Sequence, residues 1–198
     1  MKIQIKILNK GFYGNINQYY DHSLFGLMNN GTPNNLPQYA TAGSAAMDLV
    51  CTEDVTISPG EVKMISTGLA IWVGSGLRKT TLEQRYKLAH HGVAALIIPR
   101  SGLGTRGLVL SNTVGVIDED YQGQLMVSTW NRNERGDPIL YEYPNIGIKG
   151  DSNDIELKAG DRFAQIMFIP VMKVQWDVVE EFSENTSRGE GCLGSTDK

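Results

Sequence analysis

The 198-residue chain has only two cysteines, three histidines and seven prolines, and each shortage excludes something. Cys51 and Cys192 form no CxxC pair or other metal-ligating spacing, so both read as free thiols in a reducing compartment. His90 and His91 are adjacent and His22 is the only other histidine, so the pair reads as solvated and not as a metal site. Long apolar runs are missing too. The longest, Val93 to Ile98 and Ile166 to Met172, fall far short of the ~20 residues a membrane helix needs. Basic blocks are also absent: 18 Lys plus Arg against 22 Asp plus Glu give a net charge of −4, spread along the chain, which argues against a nucleic-acid-binding face. Met1 to Ile7 alternates polar and apolar residues and shows no basic patch followed by an apolar run, so no secretion signal is read and a cytoplasmic protein is expected.

Glycine, by contrast, is plentiful: the chain has 22, or about 11% of residues against a usual ~7%. Apolar residues make up 41%, enough to bury a core without disulfide or metal staples. Period-two alternation dominates. Ile3, Ile5 and Ile7 alternate with Lys2, Gln4 and Lys6. Val55 and Ile57 lead into Ser58-Pro59-Gly60, and Val62 and Met64 resume beyond it, which predicts two strands around a turn. Gln124 to Trp130 and Phe163 to Val174 predict further strands. Many short strands between glycine-containing turns predict an all-β fold, a jelly-roll β-sandwich or barrel.

One stretch departs from that pattern. Thr80 to His90 carries helix formers, with Thr81 and Gln84 at capping-box spacing, and predicts one short helix. Three polar stretches read as insertions, near residues 9–37, 74–92 and 135–154. The organisation expected is a β domain over 1–182 followed by a flexible arm over 183–198, whose composition is too polar to pack by itself.

Three segments carry residue types suited to chemistry. Pro99-Arg100-Ser101-Gly102-Leu103-Gly104-Thr105-Arg106-Gly107 follows an apolar run and offers a cation, a hydroxyl and approachable backbone N–H groups. Two readings stay open there: a phosphate cradle, or a glycine-rich turn with a surface arginine. Val109 to Leu125 reads as a hairpin. Asp118 follows two β-branched residues at a strand end, where a carboxylate is held and partly desolvated as a general base requires, while Glu119 and Asp120 fall in a solvated turn. Arg188 to Thr196 offers an arginine, a flexible backbone and two hydroxyls, either an arm that closes over a polyphosphate or a frayed terminus.

Taken together and in order, these segments resemble the five motifs of the trimeric dUTP pyrophosphatase (dUTPase) family. Ala42 to Leu49 is similar to the first, Pro99 to Gly104 to the second, Gly115 to Gly123 to the third, Ala159 to Ile166 to the fourth and Arg188 to Thr196 to the fifth. The resemblance implies a homotrimer with shared sites that hydrolyses dUTP to dUMP and pyrophosphate with Mg²⁺, limiting uracil in DNA and supplying dUMP for dTMP synthesis. It assigns Asp118 to the water that attacks the α-phosphorus, and Asp48 to Mg²⁺ through bound waters. Arg100, Ser101 and Gly102, then Arg188, Gly194, Ser195 and Thr196 of the arm, meet the phosphates, with Gln165 nearby. Arg162 is assigned a structural part. Asn112, with backbone from Val116, Ile117 and Met126, reads the uracil edge, and Tyr121 packs on the deoxyribose.

Two departures stand out. Gly191-Cys192-Leu193 replaces the family's usual Gly-Gly-Phe. Leu193 covers the base without stacking, so ~0.5–1.5 kcal/mol of aromatic pairing is expected to be lost and KM raised. Leu193→Phe is therefore expected to lower KM for dUTP with kcat little changed; an unaltered steady-state KM refutes this reading of the lid. Cys192 in place of glycine narrows the arm's backbone freedom. The dCTP deaminase branch of the same fold carries a catalytic Glu at the position that aligns here with Ser128, which cannot serve in that proton transfer. A non-catalytic dUTP-binding regulator is the other alternative.

Overall fold

Strands with one apolar face must bury it, and here two antiparallel sheets do so against each other. The structure is a computed structural model and describes residues 3–13, 36–76, 91–134, 153–184, 186, 187 and 189. The strands are β1 (Gln4–Ile7), β2 (Met47–Val50), β3 (Val55–Ile57), β4 (Val62–Trp72), β5 (His91–Pro99), β6 (Leu108–Leu110), β7 (Gly115–Ile117), β8 (Gln124–Asn131), β9 (Ile155–Leu157) and β10 (Arg162–Met172). One sheet runs β1-β4-β8-β6, the other β2-β10-β5-β7, and β3 and β9 form a separate ribbon. This is the expected all-β jelly roll. Its core gathers Leu49, Ile57, Ile65, Ile97, Leu125, Val127 and Phe163 from both sheets and the ribbon. Among the described residues no helix is long and apolar enough to cross a membrane.

Alternation located most strands, including the two expected around the Ser58–Glu61 turn, but pairing differs from the expectation in one place. β3 and β4 flank the Ser58–Glu61 turn without pairing with each other: β3 pairs β9, while β4 lies between β1 and β8. The expected hairpin over Val109 to Leu125 is not one. β6 pairs β8 and β7 pairs β5, so the segment crosses from one sheet to the other. β10 ends at Met172, two residues short of the expected Val174.

Two short helices appear where none was read: α1 (Lys10–Tyr13) and α2 (Ser101–Thr105). The helix expected over Thr80 to His90 lies outside the described residues. α2 forms despite its two glycines because Leu103 is buried and Gly104 N–H donates to Arg100 O at 2.8 Å. α1 is held where β4 bulges. Gly68 has φ +66, its carbonyl accepts the N–H groups of Leu8 and Asn9, and an added Cβ would lie 2.8 Å from Thr52 Cγ2. Only glycine suits that combination of backbone and space.

Next to the bulge the Tyr13 hydroxyl donates to Thr67 O at 2.7 Å, and its ring packs with Ile7, Val50 and Leu69 in a second small core. Burial, aided by the nearby Cys51, pushes the phenol up to about 12. The folded state therefore holds this proton more tightly than the unfolded chain, and the stabilisation is complete below pH ~10 and lost as pH rises toward 12. Tyr13→Phe is expected to flatten this part of an alkaline stability profile measured by chemical denaturation; an unchanged slope between pH 9.5 and 11 (about one unit around the ordinary phenol value) refutes it.

Candidate functional site

The Val109–Leu125 segment builds one half of the site. β7 carries Val116 and Ile117 on the edge of its sheet, with Val116 61% exposed. Before β7, the turn at Ser111–Val114 presents Asn112 on the surface, closed by Val114 N–H to Asn112 O at 2.7 Å; Thr113 is at φ +63. Ser111 N–H bonds Ser128 O, and the two serine hydroxyls lie 2.5 Å apart, which draws this turn along β8 toward Met126. After β7 comes Asp118, whose carbonyl accepts the Tyr121 N–H at 3.2 Å. The Tyr121 ring folds back so that its hydroxyl donates to Gln124 O at 2.9 Å, and it lies over Gly123 where a Cβ would collide with it.

The expectation for Asp118 needs correcting in one respect. Its side chain is exposed and not partly desolvated, because it projects from the end of an edge strand. Glu119, read as solvated, is partly buried. Its carbonyl accepts the Gly74 N–H at 2.7 Å and its carboxylate stands 3.8 Å from Lys173 Nζ, so it ties the turn after β7 to the chain leaving β10.

Arg100, Ser101 and Gly102 cluster at the other end of β5. Arg100 follows β5 in extended conformation, and Ser101 and Gly102, both exposed, form the first turn of α2, whose leading N–H groups have no intrahelical acceptor. β10 sets Gln165 beside Asp48 on β2 and Ile98 on β5. Cross-strand partners share a face of the sheet, so Asp48 and Gln165 lie together. Asp48 is engaged by two guanidinium groups, with Arg100 Nε at 2.8 Å and Arg162 Nη1 at 3.3 Å. Sequence reasoning missed these pairings, for which only the acid and the two arginines in different motifs were a signal.

The two halves are far apart within one chain. Antiparallel register places Ile117 beside Ala95, hence Asp118 beside Ala94, while Arg100 is six residues further along β5. At ~3.3 Å per strand residue the separation is on the order of 20 Å. Arg188, Leu193, Gly194, Ser195 and Thr196, and with them Cys192, lie outside the described residues. Cys51 is a buried free thiol, raised chiefly by burial, whose Sγ donates to Lys158 O. Among the described residues no three His, Cys, Asp or Glu side chains gather to hold a metal ion.

Comparison with known proteins points to one family. The family model described as dUTPase matches residues 32–137 and 145–197. A deoxyuridine 5'-triphosphate nucleotidohydrolase of Burkholderia cenocepacia is 44% identical over 164 residues, covering 81% of this chain and 88% of that protein. One of Histophilus somni is 41% identical over 171 residues, with 85% and 91% covered. Among solved structures, the dUTPase of Staphylococcus bacteriophage 80alpha with dUPNHPP superimposes with a TM-score of 0.67 at 22% identity, covering 98% of each chain. A mutant dUTPase from phage phi11 of S. aureus, described as coordinating a structural Mg(II) ion, gives 0.61 at 19% identity, with 92% and 99% covered. At those identities the two phage proteins speak for the fold alone.

Proposed function

This chain belongs to the dUTPase family, and from that premise we propose that it hydrolyses dUTP to dUMP and pyrophosphate. The observation that carries the reading is the pair of half-sites at the two ends of β5, one suited to a nucleoside and one to phosphates. On the nucleoside side Asn112 and the backbone of Val116, Ile117 and Met126 face the uracil edge, and Tyr121 packs on the deoxyribose. A slot matched to uracil leaves its own polar groups unpaired against cytosine and has no room for a thymine methyl. Asp118 accepts a proton from the water that attacks the α-phosphorus and orients it in line with the leaving pyrophosphate. On the phosphate side Arg100, Ser101, the N–H of Gly102 and Gln165 meet the triphosphate, joined by Arg188, Gly194, Ser195 and Thr196 of the arm over 183–198. Leu193 covers the base.

A divalent cation of the Mg²⁺ type is implied by the family. The described residues do not fit a protein-held ion, because Asp48 is already shared by two arginines and no acidic cluster adjoins it. Mg²⁺ is therefore counted with the triphosphate as substrate, and no step is routed through the protein's hold on it.

The proposed assembly is a homotrimer in which one copy's nucleoside half faces another's phosphate half. Two observations support it. The half-sites stand too far apart in one chain to grip one nucleotide. Beyond β10 the chain also exposes Trp176 and Val178 at 90% and 93%, apolar surface that a second copy would cover. Mixing inactive Asp118→Asn and Ser101→Ala chains after joint unfolding and refolding is expected to restore activity toward about a quarter of wild type, since some sites then combine two intact halves. No recovery on mixing rules out shared sites.

The experiment that tests the function is pyrophosphate release from dUTP, dTTP, dCTP and UTP with Mg²⁺. Release from dUTP alone is expected. Ammonia release from dCTP would identify a deaminase instead, and tight dUTP binding without release a regulator.

A further inference from the structure

The resemblance gives Asp48 to the waters of a metal ion, but in the structure its carboxylate has other partners. Asp48 on β2, Arg100 just beyond β5 and Arg162 at the start of β10 belong to three adjacent strands. Arg100 Nε lies 2.8 Å from Asp48 Oδ1 and Arg162 Nη1 lies 3.3 Å from Oδ2. Arg100 Nη1 also donates to the Arg162 carbonyl at 2.9 Å, so Arg100 is held from two directions. The Nε and Oδ1 atoms are both out of solvent and close without being aligned as a hydrogen bond, so charge holds them together. Where water is excluded that attraction is stronger than on an open surface.

Charge decides what this cluster suits. One carboxylate between two guanidinium groups leaves a net charge of +1, which repels a hydrated divalent cation and attracts a phosphate. We propose that Asp48 is a positioning residue and not the anchor of a metal. It fixes the Arg100 guanidinium and, through it, the turn into α2, so that Arg100 and the N–H groups of Ser101 and Gly102 meet the triphosphate already arranged. The inference rests on the dUTP reading given above. It moves Asp48 from the metal's surroundings to those of Arg100.

The test compares wild type, Asp48→Asn, Asp48→Glu, Arg100→Lys and the Asn/Lys double variant in two ways. One is calorimetric binding of dUDP in EDTA, without metal. The other is dUTP turnover as a function of free Mg²⁺. Asp48→Asn is expected to weaken metal-free dUDP binding about tenfold, the scale of one lost charge-assisted contact, and to raise KM for dUTP by the same factor. Half-saturating Mg²⁺ stays unchanged and kcat moves less than about threefold. Asp48→Glu, which keeps the charge, recovers part of the affinity. The double variant binds no worse than the weaker single, because both changes break one unit.

The opposite pattern overturns the proposal: metal-free binding as in wild type, with half-saturating Mg²⁺ raised. Should Asp48→Asn fail to fold, Arg100→Lys and Asp48→Glu still carry the comparison. They are expected to weaken metal-free dUDP binding without shifting the Mg²⁺ requirement, and unaltered metal-free binding in both overturns the proposal. If wild type releases no pyrophosphate from dUTP, the activity itself is wrong. If wild type turns over dUTP and Asp48→Asn keeps its metal-free affinity, only the role given to Asp48 falls.

Discussion

Asp118→Asn is expected to lose about 10²–10⁴-fold in pyrophosphate release from dUTP, the range attached to a general base, while dUTP binding changes by less than about threefold. The amide is nearly the same size and still hydrogen-bonds, so it can hold a water but cannot take its proton. The surroundings make the comparison clean. Asp118 is exposed in the single chain, and its own carbonyl, not its carboxylate, anchors the Tyr121 N–H. Removing the charge therefore leaves the turn to Tyr121 intact, and a melt of the variant is expected to match wild type. Rapid-quench turnover together with equilibrium binding of a non-hydrolysable dUTP analogue checks it. A variant that keeps a tenth or more of wild-type turnover shows that another group accepts the proton.

Asn131→Ala is expected to cause the largest loss of stability, about 3–5 kcal/mol, because it strands several buried groups at once. Asn131 is fully buried at the end of β8. Its Nδ2 donates to Ile57 O and Asn153 O, both at 2.9 Å, and its Oδ1 accepts the Asn133 N–H at 3.1 Å. One side chain thus joins the β3–β9 ribbon to the sheet that carries Met126 and Ser128. Alanine leaves two buried carbonyls and one partly buried N–H without that partner, and adds a small cavity. The midpoint of thermal unfolding is expected to fall by on the order of 10 °C. A fall of less than about 2 °C would mean that water or a rearranged neighbour replaces the amide.

Much of the fold was legible because its signal is local. Val55 and Ile57, Val62 and Met64, and Gln124 to Trp130 alternate with period two, and each became a strand. Partner choice was not legible, since alternation says which face is apolar and nothing about the facing chain. For that reason Val109 to Leu125 looked like a hairpin although β6 and β7 belong to different sheets. α2 escaped notice for a related reason: glycine and threonine are poor helix formers, and what holds the turn is the burial of Leu103 by distant residues. Gly68 gave no warning of a bulge, because its positive φ answers to Asn9, Thr52 and Tyr13, which converge on it only in three dimensions.

Five segments in a fixed order, Ala42–Leu49, Pro99–Gly104, Gly115–Gly123, Ala159–Ile166 and Arg188–Thr196, by themselves determined the family, because residue identity and order are properties of the chain alone. The apolar pattern likewise determined that the fold would be β. Tertiary structure alone decided how those segments lie relative to one another. The antiparallel register of β5 with β7 puts Asp118 and Arg100 at opposite ends of one strand, so segments close in sequence form separate half-sites. Adjacency of β2, β10 and β5 does the reverse and joins Asp48 to Arg100 and to Arg162, the latter more than a hundred residues away in sequence. Such contacts depend on which strands become neighbours, and strand pairing is chosen by the whole core and not by the residues that come to touch.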